Sequence, residues 1–260
     1  MTSHRDRKPG NKAALITGAA RRIGRQIATD LAAQGYAVAI HYNGSEDEAQ
    51  AVVAEIRANG GRAEMLQGDL SDPQVPARLI EQSVAAFGGL SLLVNNASRF
   101  EPDEIGSITL DSWSQHLDTN LRAPVFLAQS FAAALPESAS GNIINIVDQR
   151  VWKLNPRFFS YTLSKAALWD VTRTLAQGLA PRIRVNAIGP GPALPSPRMD
   201  QREFDKQSAL TLLQNGTSPK EISRALTFIL SAPAMTGQMI VLDGGQHLVW
   251  QTPDIMNVNE

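Results

Sequence analysis

Thr17-Gly18-Ala19-Ala20-Arg21-Arg22-Ile23-Gly24, directly after the apolar run Ala13-Ala14-Leu15-Ile16, is the stretch on which the fold turns. A short apolar run closed by glycine reads as a buried strand. Ile23, Ile27 and Leu31 then recur every four residues before Gly35, the spacing of a helix with one apolar stripe. A glycine turn between strand and helix offers backbone N–H groups and the positive end of the helix dipole to an anion. The common G-x-G-x-x-G spacing is not matched here, and a tight turn calls for glycine in any case. The place of Gly18 and Gly24, between the first strand and the first helix with Arg21 and Arg22 beside them, points to a phosphate.

Outward from that stretch the pattern repeats. Further strands are expected at 36–41, 62–67, 90–94, 142–147, 182–188 and 238–242. Helical stripes fall between them: one opening at Ser45, with Glu48 completing a capping box, then 75–87, 111–135 and 158–179, and two polar stretches near 202–214 and 219–230. Short, continuously apolar strands alternating with helices predict an α/β chain: a doubly wound parallel sheet of about seven strands with helices on both faces. No composition break divides it, so residues 11–250 read as one domain, with polar mobile tails at 1–10 and 251–260.

Composition excludes several classes. The 24 Lys and Arg nearly balance the 25 Asp and Glu, which speaks against a nucleic-acid binder. The chain has no Cys, so disulfides, thiolate zinc sites and cysteine nucleophiles are out, and the cytoplasm is the expected compartment. No run approaches the ~20 apolar residues of a membrane helix. Arg5, Arg7, Lys8 and Lys12 before 13–20 faintly resemble a signal peptide, but Thr17 and Gly18 interrupt the run and favour strand and turn. His4, His116 and His247 have no second ligand at metal spacing, so no metal site is expected. Trp113 and Trp169 read as packing or subunit-contact residues.

In a doubly wound sheet, ligands bind beyond the carboxyl ends of the strands. After the second strand, His41-Tyr42-Asn43-Gly44-Ser45 holds no carboxylate that would accept the ribose hydroxyl of NAD and repel a 2′-phosphate. With Arg21 nearby, this favours NADPH; Ser45 caps a helix, meets the phosphate, or does both. After the third strand, Asp69-Leu70 is either a turn or an acceptor for an adenine amino group. After the fourth come Asn95-Asn96, buried amides that need internal partners and so order neighbouring loops. After the fifth comes Asp148, and thirteen residues later Tyr161, with Lys165 one helical turn on. A lysine beside a phenol is expected to lower its pKa and make a proton donor, although such a pair is often only a surface contact.

Taken together, Thr17-Gly18…Gly24, Asn95-Asn96-Ala97, Asn120, Tyr161-x-x-x-Lys165 and Pro190-Gly191 resemble the short-chain dehydrogenase/reductase family over residues 12–247. The resemblance implies a Rossmann-like single domain and a nicotinamide cofactor. It implies Tyr161 as proton donor, Lys165 on the nicotinamide ribose and Asn120 behind a relay water. It also places Ile23, Tyr42, Asn43, Ala97, Pro190 and Gly191 along the cofactor, and implies a homo-oligomer, with a tetramer ahead of a dimer.

Three departures narrow the resemblance. Arg22 replaces the family's middle glycine, Ser98 the glycine after Asn-Asn-Ala, and Asp148 the catalytic serine. With Phe100 and His41-Tyr42, these are similar to the pteridine and dihydromonapterin reductase subgroup. That implies Arg22 on the pyrophosphate and the substrate, Ser98 on cofactor and pterin, Phe100 stacked on the pterin, and Asp148 as partner of Tyr161. The chemistry agrees. An ionised carboxylate cannot donate to a ketone oxygen, whereas reduction of C=N needs a proton delivered to nitrogen. A flat heterocycle gains from stacking, although Phe100 can also be ordinary loop packing. Gly44 stands where such enzymes can carry a basic residue, and Pro192-Ala193-Leu194-Pro195 offers no polar side chain, leaving Gln149, Arg150 and Trp152 to line the pocket. The expected function is NADPH-dependent reduction of a dihydropterin. The alternatives are reduction of another C=O or C=N substrate, or a non-catalytic NADPH-binding regulator.

Overall fold

The computed structural model describes residues 8–9, 11–196 and 198–252. Most of the two expected tails lies outside these. Within the first, β1 (Lys8–Pro9) pairs in parallel with Ala139 and Ser140. The strands that follow are β2 (Ala13–Ile16), β3 (Ala37–Tyr42), β4 (Arg62–Gln67), β5 (Leu92–Asn95), β6 (Ala139–Ile146), β7 (Ile183–Pro190) and β8 (Met239–Leu242). The helices are α1 (Arg22–Ala33), α2 (Glu46–Ala58), α3 (Val75–Phe87), α4 (Leu110–Leu117), α5 (Ala123–Ala134), α6 (Phe159–Leu179), α7 (Gln201–Ala209) and α8 (Pro219–Ser231).

Side-chain alternation divides the core. Ala14, Ile16, Val38 and Ile40 pack against Ile27, Leu31, Val52, Ile56 and Leu226 on one face of the sheet. Ala13, Leu15, Ala37, Ala39 and Leu93 meet Leu79, Leu127 and Phe131 on the other. Every residue of β2 and β3 is therefore buried, which is why these strands read as unbroken apolar runs. The order along the sheet is β4-β3-β2-β5-β6-β7-β8, all parallel. The chain runs outward from β2 to β4, then returns to lay β5 beside β2. That reversal opens a crevice at the carboxyl ends of β2 and β5.

Two expectations are corrected. The helix expected over 111–135 is interrupted by a π turn at Asp118–Arg122 between α4 and α5. Pro124 is the cause: it brings no N–H to the carbonyl of Asn120, and its ring crowds that carbonyl, so the turn widens. The expected capping box at α2 does not form. Ser45 makes no capping hydrogen bond, and Glu48 instead pairs with Arg21 at 3.4 Å. Among the described residues no helix is long and apolar enough to cross a membrane.

Candidate active site

The crevice is a cleft of about 1020 Å³ that gathers the site residues named from the sequence except Asn120 and Trp152. At its β2–α1 end, glycine is required twice. Gly18 has φ 63°, and a Cβ there would stand 3.0 Å from the Ala97 Cα; a Cβ on Gly24 would lie 2.3 Å from the Gly18 oxygen. Half-buried Asn96 ties the two loops: its Nδ2 donates to the carbonyls of Thr17 (2.8 Å) and Gly18 (3.1 Å), and its amide to Thr17 Oγ1. The Gly18 N–H is not free for a phosphate, contrary to the reading of the loop. It donates to His41 Nδ1 at 3.1 Å, while His41 Nε2 faces the Gly68 carbonyl at 3.0 Å. This pairing assigns the proton to Nε2, and burial pushes the His41 pKa down to about 4, so the ring is neutral. The N–H groups left for an anion are those of the first turn of α1.

Arg22 holds φ 55°, the left-handed conformation that glycine takes without strain. Its guanidinium donates to the carbonyls of Pro195 (2.7 Å) and Leu194 (3.3 Å), joining the phosphate loop to the segment after β7. Arg21 reaches Glu48, so a 2′-phosphate would meet an arginine that already has an acidic neighbour. Asp69 Oδ1 accepts from the Ser71 amide and hydroxyl, and these bonds hold its carboxyl below the usual range. The turn and the acceptor readings of Asp69 are thus compatible, since Oδ2 remains. Leu70 lines the cleft while its side chain is part of the core, and Tyr42, Asn43 and Ser45 edge the same end. A Cβ on Gly44 would meet nothing within 4 Å.

At the β6 end, Tyr161 and Lys165 project from one face of α6, as the four-residue spacing requires. The Tyr161 hydroxyl donates to Asp148 Oδ2 at 2.7 Å, and Asp148 Oδ1 accepts from the Arg150 amide at 2.8 Å. Lys165 Nζ donates to the Ile146 carbonyl at 2.8 Å and stands 5.8 Å from the centre of the Tyr161 ring. The expected lowering of the phenol pKa is overturned. Burial and the adjacent Asp148 carboxylate push Tyr161 well above its ordinary value. Burial also raises Asp148, against the hydrogen bonds it accepts. Burial lowers Lys165 to about 8, with Asp148 pulling the other way, so the ammonium keeps its charge at neutral pH.

Asn120 is behind the wall rather than in it. Its Oδ1 accepts from the Arg99 amide (2.8 Å), and its Nδ2 donates to the Arg99 carbonyl (3.0 Å) and to Ser164 Oγ (3.0 Å). Both polar atoms of the side chain help hold the loop after β5 against α6, and one lone pair of Oδ1 remains.

That loop carries Ser98 and Phe100. Ser98 is exposed at the cleft and its hydroxyl touches only the Arg99 carbonyl. Phe100 stacks on Phe158 with centroids 4.2 Å apart and planes 9° from parallel, and its ring meets that of Tyr161 edge-on at 4.7 Å. Arg150 and Arg198 stand 5.2–5.9 Å from the two stacked rings. Arg198 also pairs with Glu101 at 2.7 Å. Phe158, with φ 56° just before α6, has no sequence signal beyond its place before the helix; its partner lies in a distant loop. Gln149 lines the cleft almost fully buried, with Oε1 unpartnered. Trp152 does not line it; its ring stands edge-on to His247 at 5.1 Å. Among the described residues no group of three or more His, Asp or Glu could hold a metal.

Comparison with known proteins adds three findings. The sequence pattern described as short chain dehydrogenase matches residues 12–207. The 3-oxoacyl-[acyl-carrier-protein] reductase of Staphylococcus epidermidis is 34% identical over 244 residues, 92% of this chain and 100% of that protein. Among solved structures, the FolM alternative dihydrofolate reductase 1 of Brucella suis in complex with NADP is 51% identical, with a TM-score of 0.92 over 94% of this chain and 98% of that one. A short chain dehydrogenase of Burkholderia cenocepacia in complex with NADP is 35% identical, with a TM-score of 0.85 over 91% and 98%.

Proposed function

The chain belongs to the short-chain dehydrogenase family and is an NADP-binding oxidoreductase, and from that premise we propose that it reduces a dihydropterin to a tetrahydropterin. The observation that carries the proposal is the 2.7 Å hydrogen bond from Tyr161 to Asp148 at the position where the family's serine is expected. The resemblance to the Brucella protein supports it. The residues present fit the dinucleotide: the space kept by Gly24, the N–H groups opening α1, Arg21 and Ser45 for the phosphates, Asp69 for the base, and Lys165 for the nicotinamide ribose.

NADPH, when bound, supplies the hydride to carbon. The chain's own task is the proton that the substrate nitrogen takes up. Tyr161 holds that proton on Oη, and its raised pKa keeps the phenol neutral at physiological pH. As Oη gives the proton to nitrogen, the charged Lys165 and the nearby Arg150 guanidinium oppose the negative charge left on oxygen. Asp148, its pKa raised by burial, can take up a proton from the solvent of the cleft and pass it to Oη through the same hydrogen bond. Phe100 and Ser98 line the side where the heterocycle would bind.

A second reading, reduction of another C=O or C=N substrate, is favoured by the 3-oxoacyl reductase relatives. NADPH oxidation with dihydrobiopterin, dihydromonapterin and dihydrofolate, beside a 3-oxoacyl thioester, simple ketones and quinones, separates the two. Turnover of a pterin is the expected result. Turnover of carbonyl substrates alone would transfer the assignment to the second reading. NADPH binding with no turnover at all would leave the regulator.

A further inference from the structure

Behind Phe100 and Tyr161 lies a second polar cluster that the reaction above does not use. Asp103, His116 and Ser160 are each at most 3% exposed, and they come from three separate segments: the loop after β5, α4 and the first turn of α6. The Ser160 hydroxyl contacts Asp103 Oδ2 and stands 2.7 Å from His116 Nδ1. The Ser160 amide donates to Asp103 Oδ1 at 3.0 Å. His116 Nε2 accepts the Glu101 amide at 3.0 Å, and its Nδ1 faces the Ser112 carbonyl at 2.9 Å. These partners assign the ring: Nε2 must be bare and Nδ1 must carry the proton. The Phe159 amide closes the arrangement by donating to the Asp103 carbonyl.

We propose that Asp103, His116 and Ser160 are positioning residues, a buried latch that fixes the loop of Phe100 against the turn of Tyr161 and thereby sets substrate affinity. Glu101 and Ser160 are the immediate chain neighbours of Phe100 and Tyr161, so the latch grips both faces of the contact one residue away. Substrate that stacks on Phe100 needs that loop in place, whereas the residues that fit the dinucleotide, Gly24, the N–H groups opening α1, Arg21, Ser45, Asp69 and Lys165, lie outside it. The inference rests on this cleft's being the substrate site, and not on the substrate's being a pterin.

The latch also carries a pH dependence. A proton on Nε2 would face the Glu101 N–H donor to donor and expel it. The charged groups around the ring are Asp103, with Oδ2 4.0 Å from Nδ1, and Glu101, which favour the charge, and Arg99, which opposes it; from α6 the neighbour is the Tyr161 ring at 6.2 Å. Burial outweighs the two acids and lowers the His116 pKa, so the latch holds at neutral pH and opens on acidification.

The test compares the full-length wild type with Ser160→Ala and His116→Gln, both checked for cooperative melting. Hydrogen exchange of peptides spanning 99–104 needs no substrate; Ser160→Ala should lose protection there by about tenfold while β5 is unchanged. With dihydromonapterin, Ser160→Ala should raise KM about tenfold and leave the NADPH Kd unchanged. In the wild type, KM should climb as the pH falls below about 6.5, and His116→Gln, which keeps a donor and an acceptor but cannot take a proton, should abolish the climb. Unchanged protection of 99–104 in Ser160→Ala, or an acid rise in KM that persists in His116→Gln, overturns the proposal. If the wild type turns over no pterin, the substrate reading fails and the exchange experiment alone decides the latch.

Discussion

The two ends of the cleft are built from different materials. At the β2–α1 end the wall is main chain: Gly18, Gly24, the first turn of α1, the carbonyls that Asn96 holds and the Gly18 N–H that His41 accepts. At the β6–α6 end it is side chain: Phe100 on Phe158, Arg150 and Arg198 beside them, Tyr161 on Asp148. A wall of backbone tolerates change in few ways, because glycine is the residue that fits. A wall of side chains is retailored by single substitutions, and one such change, serine to Asp148, separates this chain from the wider family pattern. The aromatic end is thus the more readily altered, and at the main-chain end Arg22 keeps φ 55°, the conformation of the glycine it replaces.

The sharpest way to break that contrast is Tyr161→Phe. Removing only the hydroxyl should lower kcat by ~10²–10⁴-fold and spare NADPH binding. A variant that keeps most of its turnover, with chemistry limiting the wild type, would show that the proton comes from elsewhere. Phe100→Ala should raise KM for a pterin by roughly 5- to 150-fold, since stacking on a base is worth ~1–3 kcal/mol. NADPH affinity should hold; if it falls in step, the two ends are one site and the contrast collapses.

The backbone end should fail in acid through His41. The folded state keeps the ring neutral down to about 4, while the unfolded chain takes a proton near 6.5. Between these values the unfolded state binds more protons, so stability falls as pH drops, by about 3 kcal/mol in all. Denaturant melts should show this slope, reduced in His41→Asn; an identical slope in the variant would place the acid-sensitive group elsewhere. NADPH should bind at least ~1.4 kcal/mol, or tenfold, tighter than NADH, given Arg21 and the absence of an acid at 41–45. Equal affinities in calorimetry would mean that Glu48 has neutralised Arg21. Gly44→Arg, entering open space, should widen the preference a further few-fold.

What was legible in the sequence follows the same division. Gly18, Gly24 and the pair Tyr161 and Lys165 sit at fixed local spacings, and so do the apolar strands, so the sheet and most of the cleft could be read by periodicity and resemblance. The capping box at Ser45 was equally local and failed, because Glu48 met a distant Arg21 instead. Phe158 and Arg198 could not be found by spacing, since only the folded chain brings them to Phe100. Two signals were present but unused. Pro124 inside an expected helix marked the π turn, and His41 ending an apolar strand marked a buried polar tie. The raised phenol pKa has no local signal, because its causes, burial first and then Asp148, exist only once the chain is folded.

The π turn at Asp118–Arg122 also says how this helix can and cannot be edited. It stores one surplus residue. Excising one residue there would let the hydrogen-bond ladder run regular with α4 and α5 kept nearly in phase, whereas a residue lost from a regular stretch turns everything upstream by about 100° about the axis. His116 would keep its place, but Asn120, inside the π turn, would be drawn off the Arg99 backbone it holds, while α5 stayed packed in the core. A shorter, more regular helix would therefore make a better fold and a worse enzyme, and insertions or deletions should be harder to accommodate here than on the outer surface of α2.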